Sequence, residues 1–294
     1  MIETVRTLTE LRDSISAHRQ AGRRIGLVPT MGALHEGHLA LVDIAASHAD
    51  VVAVSLFVNP TQFAPGEDLD RYPRDEDGDK AKLESRGTSL LWAPDPQEMY
   101  PDGFATSVHV DGPSQGLETD HRPHFFGGVA TVVTKLLVQV LPDVAVFGEK
   151  DYQQLQVIRR LVRDLDIPVE VIGGPTIRET DGLAMSSRNA YLSQEHRAVA
   201  PSMKRIIDDA GKQVLAGGDP QAAEDAAGAA LLAAGFEKID YVAIRHADSL
   251  ARLSQAEIKE GSPVRILAAA HLGTTRLIDN VNPRDNEQAL PSIS

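Results

Sequence analysis

In the stretch Arg24-Ile-Gly-Leu-Val-Pro-Thr-Met-Gly-Ala-Leu-His-Glu-Gly-His38, residues 25–28 read as a short buried strand, 29–32 as a tight turn, and residues from about 34 onward as a helix. A helix N-terminus presents unpaired backbone N–H groups and about half a positive charge. A strand that feeds a helix through a glycine turn therefore offers a place for an anion. His35 and His38, three apart, share one helix face, which suits a polyphosphate lying across the turn. The same residues also fit a plain βα turn with structural histidines, and the stretch alone does not separate the two. It does exclude better-known motifs. The zinc-protease helix needs His-Glu-x-x-His, and neither Gly-x-Gly-x-x-Gly nor the Gly-Lys-Ser/Thr phosphate loop is present here.

Working outward, Thr7-Leu-Thr-Glu10 is a capping box opening a helix to about residue 21, with Leu8, Leu11 and Ile15 on its apolar side. After the quoted stretch a helix runs to about residue 48. Residues 51–58, Val-Val-Ala-Val-Ser-Leu-Phe-Val, form a strand buried on both faces, stopped by Asn59-Pro60. A helix over 77–86 and a strand over 89–92 follow. Gly127 and Gly128 are expected to precede a helix over 129–140; then come strand 144–147, helix 151–165 and strand 169–172. This alternation predicts an α/β, Rossmann-like fold, a mainly parallel sheet with helices on both faces and ligands at the carboxyl ends of its strands.

The pattern changes after Gly173-Gly174-Pro175. Two helical segments, 195–215 and 221–234, are followed by strands 241–245, 264–271 and 276–281. Residues 1–175 are thus expected to form a nucleotide- and substrate-binding domain and residues 176–294 a smaller α+β domain. The polar end from residue 283 is expected to fray.

Bulk properties narrow the function. The 294 residues have room for about two domains. A net charge of −13 argues against a nucleic-acid partner, and no apolar run is long enough for a membrane span. Without cysteine there are no disulfides or thiolate metal sites. The opening Met-Ile-Glu-Thr-Val-Arg has no export signal, which makes the cytoplasm the expected compartment. An acidic chain that binds ATP must attract it locally, through His, Lys, Arg and helix N-termini, with a divalent cation assisting.

The apolar strands end in polar residues at one expected sheet edge: 31–38, Asn59 to Phe63, and Gly148-Glu149-Lys150-Asp151. Lys150 supplies a cation at a helix start, and Gln154 lies one turn further on. Asp181-Gly-Leu-Ala-Met-Ser-Ser-Arg-Asn189 adds two hydroxyls and an arginine able to grip phosphate with two hydrogen bonds. Standing alone, each also reads as an ordinary polar loop.

Together they resemble a family. His35-Glu-Gly-His38 is similar to the His-x-Gly-His signature of nucleotidylyl transferases, and Met185-Ser-Ser-Arg188 to their mobile phosphate loop. More narrowly, the chain resembles the pantoate–β-alanine ligase (pantothenate synthetase) family. The matching segments are 28–38, Phe57-Val-Asn-Pro-Thr-Gln-Phe63, Tyr72-Pro-Arg74, Met99-Tyr-Pro-Asp-Gly103, Gly148-Glu-Lys-Asp-Tyr-Gln-Gln154, 181–189 and Leu272-Gly-Thr-Thr-Arg-Leu-Ile-Asp-Asn280. Two positions depart from it: Phe125 stands where the family has histidine, with His124 one place earlier, and Gly78 replaces a residue that is acidic in some relatives.

The resemblance implies ATP-dependent joining of pantoate to β-alanine through a pantoyl adenylate, with release of AMP and pyrophosphate. It implies an ATP site of Met31, Gly32, Ala33, Leu34, His35, Glu36, Gly37, His38, Gly148, Glu149, Lys150, Asp151, Ile177, Met185, Ser186, Ser187 and Arg188. Catalysis falls to His38, His35, Lys150 and Arg188. Gln62 and Gln154 hold pantoate, with Asn59 and Met31 beside the acid and the amine. Mg²⁺ is the implied cofactor, with Asp79 its candidate ligand; the second domain acts as a lid, and a homodimer is typical. Alternatives from other classes are AMP transfer to a phosphorylated acceptor, an aminoacyl-tRNA synthetase fragment, and a non-catalytic nucleotide-binding regulator. The amides Gln62 and Gln154 argue against the first, the acidic charge against the second, and the intact His35, His38, Lys150 and Arg188 against the third.

Overall fold

The computed structural model describes residues 2–64 and 67–285, so most of the tail expected to fray, 286–294, lies outside the described residues. The chain divides into two compact units, Met1–Glu149 with Gln153–Ile177, and Lys150–Tyr152 with Arg178–Ser294.

The first unit begins with β1 (Glu3–Val5) and α1 (Leu8–Gln20), the latter opened by the expected Thr7/Glu10 capping box. Then follow β2 (Ile25–Thr30), α2 (Glu36–His48), β3 (Val51–Leu56), α3 (Glu76–Ser85) and β4 (Leu90–Trp92). The single-turn helices α4 (Pro96–Met99) and α5 (Glu118–His121) lead to α6 (Phe125–Val140), β5 (Val144–Gly148), α7 (Tyr152–Asp164) and β6 (Glu170–Gly174). The six strands are ordered β1-β4-β3-β2-β5-β6, and every pair is parallel.

Alternate residues on the central strands fill two separate cores, as a two-residue strand period requires. Leu27, Ala53 and Ala145 pack with Leu11, Leu137 and Ile158 on one face. Val28, Val54 and Val146 pack with Leu39, Val42 and Leu83 on the other. Each buried aliphatic side chain contributes about 1.5–3 kcal/mol, and their parity fixes the register.

The strand order locates the ligand end. From β2 the chain adds β3 and β4 on one side, then returns to place β5 on the other. The β2/β5 pair is therefore the switch point, where a doubly wound sheet opens a crevice beyond its carboxyl ends. Residues 31–38 follow β2 there, and Gly148 ends β5.

In the second unit α8 (Gln194–Val199), α9 (Ser202–Leu215), α10 (Pro220–Ala234) and α11 (Gln255–Lys259) accompany an antiparallel sheet of β7 (Lys238–His246), β8 (Val264–Leu272) and β9 (Thr275–Val281). Met203, Ile207, Leu231, Ile244, Ile266 and Leu277 share its core.

Several expectations needed correction. The helix expected over 195–215 is two helices, because Pro201 has no N–H with which to continue the ladder. Gly127 and Gly128 lie inside α6 rather than before it. α2 begins at Glu36, two residues later than expected, because residues 31–34 form a turn with Gly32 at φ +93° and Ala33 at φ +53°. The short edge strand β1 was not anticipated.

Candidate active site

His35 is the N-cap of α2, and its Nδ1 accepts the Gly37 N–H at 3.1 Å. His38 Nδ1 accepts the His35 N–H at 3.3 Å, and the two rings lie 4.1 Å apart. A ring nitrogen that accepts carries no proton, so these bonds select the neutral tautomers with hydrogen on Nε2. Each histidine is thereby a directed neutral donor at the end of a helix dipole. The exposed side chain of Glu36 turns away, to Arg86 at 2.7 Å.

The turn before α2 is held from outside. Asp79 on α3 is 1% exposed, and its two carboxylate oxygens accept the N–H groups of Ala33 and Leu34, each at 2.8 Å. Lys82, one turn on, donates to Leu34 O at 2.8 Å. The Asp79 charge is thus turned onto backbone donors, holding Ala33 in a left-handed conformation that costs a non-glycine residue about 1–2 kcal/mol. Among the described residues no group of three His, Asp or Glu side chains is arranged to hold a metal ion. Gly78, where some relatives are acidic, lies at the start of α3. Its N–H is accepted at 3.0 Å by the carboxylate of Asp75, the N-cap of that helix.

At the end of β3, Asn59 and Gln62 are buried, 1% and 8% exposed. Asn59 Oδ1 accepts from Tyr100 OH at 2.8 Å and from Thr61 Oγ1 at 2.9 Å. Its Nδ2 donates to Gln62 Oε1 and to Gly128 O, both at 3.2 Å. Both ends of the Asn59 amide are thus hydrogen-bonded within the protein, one of its partners being Gln62. Gln62 turns its Nε2 to Met31 Sδ at 2.9 Å, so its amide presents hydrogen rather than oxygen on the Met31 side. Burial raises the Tyr100 phenol above its ordinary pKa, keeping it a donor.

Arg122 completes this wall. It donates to Gln62 O at 3.1 Å, Glu67 at 2.6 and 2.8 Å, and Glu118 at 2.9 Å, and its guanidinium lies 4.0 Å from the centre of the Phe125 ring. Phe125 is therefore a cation–π neighbour of Arg122, while His124 is the N-cap position of α6. Burial opposes ionisation of Glu67, but Arg122 outweighs it and holds that carboxyl below its usual range. The second glycine of α6 belongs here too: a Cβ on Gly128 would meet Thr61 O at 2.5 Å and Gln62 N at 2.8 Å. Of the consecutive glutamines on α7, Gln153 is spent inside the protein, donating to Pro113 O at 3.0 Å and accepting from Glu118 N at 3.1 Å. Gln154 is half-buried.

In the second unit Lys150 lies in a 3₁₀ turn, 21% exposed, with Nζ 3.8 Å from Asp151. Ser186 caps the 3₁₀ turn Ser187–Tyr191 by accepting the Arg188 N–H at 3.3 Å. Sequence reasoning named these residues but missed Lys82, Tyr100, Arg122 and the Asp279-Asn280 pair. For Tyr100 and the Asp279-Asn280 pair the signal was present, since each lies inside a segment that carries the family resemblance; Arg122 lies beside the stretch that departs from it at Phe125.

A doubly wound parallel sheet, with neutral histidine donors and a left-handed turn at its switch point, defines an α/β protein of the nucleotide-binding class. The profile of the Pantoate-beta-alanine ligase family matches residues 3–282, and the chain belongs to that family. It is 58% identical over 277 residues to the pantothenate synthetase of Caulobacter vibrioides, covering 94% of this chain and 97% of that one. Among solved structures, the pantothenate synthetase of Thermus thermophilus superposes with TM-score 0.88 at 47% identity, covering 96% of this chain and 99% of the other. The Francisella tularensis pantoate-β-alanine ligase, complexed with beta-gamma ATP and β-alanine, superposes with TM-score 0.79 at 32% identity, covering 97% and 98%. This chain is accordingly a carbon–nitrogen ligase, condensing pantoate with β-alanine at the expense of ATP. No helix among the described residues is long and apolar enough to cross a membrane.

Proposed function

We propose that the condensation runs through a pantoyl adenylate. One carboxylate oxygen of pantoate attacks the α-phosphorus of ATP, and the bond to the bridging oxygen breaks to release pyrophosphate. The amine of β-alanine then attacks the acyl carbon, AMP leaves, and the amine loses its proton to give pantothenate. The observation that carries this reading is the N-terminus of α2 at the switch point of the sheet, capped by His35 and His38, where the helix dipole and its backbone N–H groups suit the developing charge on phosphate. An ionised carboxylate needs no base, so neither histidine is asked to move a proton in the first step. Catalysis then rests on positioning and on donors set in advance.

In this reading residues 31–38, 148–151 and 185–188 with Ile177 hold ATP, and His35, His38, Lys150 and Arg188 stabilise charge in the transition state. Gln62 and Gln154 hold pantoate, Gln62 as a donor because Asn59 and Tyr100 set its amide. An amide orients the acid without neutralising it, whereas an arginine in that place would blunt its attack; Arg122 is already saturated by glutamates. Mg²⁺ enters as part of the substrate, on the phosphates of ATP. The residues 176–294 act as a lid, and the enzyme works as a cytoplasmic homodimer, for which equilibrium sedimentation is the test.

Pantoate-dependent exchange of pyrophosphate into ATP, without β-alanine, tests the adenylate. Exchange is expected; AMP formation only with all three substrates, and no exchange, overturns it. His38→Ala should cost about 10²–10³-fold in exchange rate, as for one transition-state donor.

A further inference from the structure

Near the end of strand β9, just before Val281, lie Asp279 and Asn280, both buried, at 5% and 3% exposure. Asn280 Nδ2 donates to the backbone oxygen of Lys150 at 2.9 Å, and its Oδ1 accepts from Arg265 Nε at 2.7 Å. Arginine only donates, so the amide can take one orientation, and that orientation turns its NH₂ on Lys150. The Arg265 guanidinium also lies 4.0 Å from the centre of the Tyr152 ring, a second hold on the same short segment. These contacts explain why Lys150–Tyr152 group with the second unit although the chain on both sides belongs to the first.

Asp279 holds a different segment. It pairs with Arg178 through two bonds, 2.7 and 2.9 Å, and Arg178 donates onward to Gly182 O at 3.1 Å. Arg178 pairs across an antiparallel bridge with Ala184, the residue before the 185–188 loop. Beyond that loop Asn189 donates to Glu179 at 3.0 Å and to Ala184 O at 3.1 Å. Two neighbouring residues of one strand thus anchor the Lys150 segment and the base of the loop that carries Arg188.

We propose that Asn280 and Asp279 are positioning residues that yoke Lys150 and the 185–188 loop into one body, so that both cations meet the triphosphate in a fixed mutual geometry. Neither residue touches ATP; Asn280 acts through Lys150 and Asp279 through Arg178. The inference rests on the assignment of Lys150 and Arg188 to the phosphates.

The test is a double-mutant cycle in the pyrophosphate exchange assay, with ATP affinity and pantoate affinity measured alongside. Asn280→Ala should lower the exchange rate up to about tenfold, the effect of one buried hydrogen bond. In a Lys150→Ala background the same change should move the rate less than about twofold, because the group it positions is gone. Pantoate affinity should hold in every variant. Equal losses with and without Lys150, or a wild-type rate for Asn280→Ala, overturn the yoke while leaving the phosphate assignment standing. A wild-type rate for Lys150→Ala removes both. If Asn280→Ala does not fold, Asn280→Ser enters the same cycle, and Asp279→Asn is read against Arg188→Ala with the same two outcomes.

Discussion

Replacing Asp79 by asparagine tests whether a charge outside the turn sets the geometry inside it. The carboxylate accepts two backbone N–H groups at 2.8 Å each, from consecutive residues, at a site 1% exposed to water. Asparagine has the same shape but one acceptor; its NH₂ would face the second N–H, donor against donor. The loss is one charge-assisted hydrogen bond, about 1.5–3 kcal/mol. Ala33, at φ +53°, has its own reason to relax once released, and His35 caps the helix two residues later. If the whole loss falls on the transition state, the exchange rate drops about 10–150-fold; whatever share falls on folding appears in urea unfolding instead. The Mg²⁺ concentration for half-maximal rate should not move. Recovery of the rate at raised Mg²⁺ would show that Asp79 binds the metal, and full activity at unchanged stability would show that the clamp is idle. Either result refutes the argument.

Three further outcomes are expected. Tyr100→Phe removes a donor to Asn59 Oδ1, which keeps Thr61, so the cost is about 0.5–1.5 kcal/mol, read as a two- to tenfold rise in the KM for pantoate with the KM for ATP unchanged. Gly128→Ala drives a methyl to within 2.5 Å of Thr61 O; urea titration should show destabilisation of about 1–3 kcal/mol, with pantoate affinity falling as the 59–62 turn shifts. On the second unit's sheet, burial would raise Asp240, but Arg276, Lys238 and His271 outweigh it and hold the carboxyl well below its ordinary value of 3.8. A depressed carboxyl contributes stability above its unfolded pKa and loses it as pH falls. The stability gap between wild type and Asp240→Asn should therefore be flat from neutral pH to about 5 and close below about pH 4, as urea unfolding at each pH would show.

The parallel sheet was legible because its strands are buried on both faces, so Val51 to Val58 could scarcely be anything but a central strand. The His-Glu-Gly-His turn and its neighbours were legible because glycine, proline and histidine mark their own geometry. What stayed hidden acts across long sequence separations. Asp79 reads as one acidic residue among many on a charged helix, and only the fold reveals the two N–H groups 45 and 46 residues upstream that claim it. Gly128 reads as a helix breaker, yet it is a helix residue whose missing side chain admits the 59–62 turn. Asn59 and Gln62 carry the same functional group, and the partners that make one a scaffold and the other a contact, Tyr100 and Gly128, are not adjacent to either. Pro201 did announce its break, and the periodicity running through it concealed it.

The placement of Lys150–Tyr152 among residues from the far end of the chain bears on how the protein is made. Asn280 leaves the ribosome 130 residues after Lys150, an interval on the order of ten seconds at about 5–20 residues per second. Once β6 has been synthesised, early in that interval, the first unit has every strand of its sheet, while the lysine segment within its sequence waits without its anchor. The sheet of the first unit can therefore close before this lysine gains its anchor. Truncation at residue 175 would yield a chain with every strand of the large sheet and no means of seating Lys150.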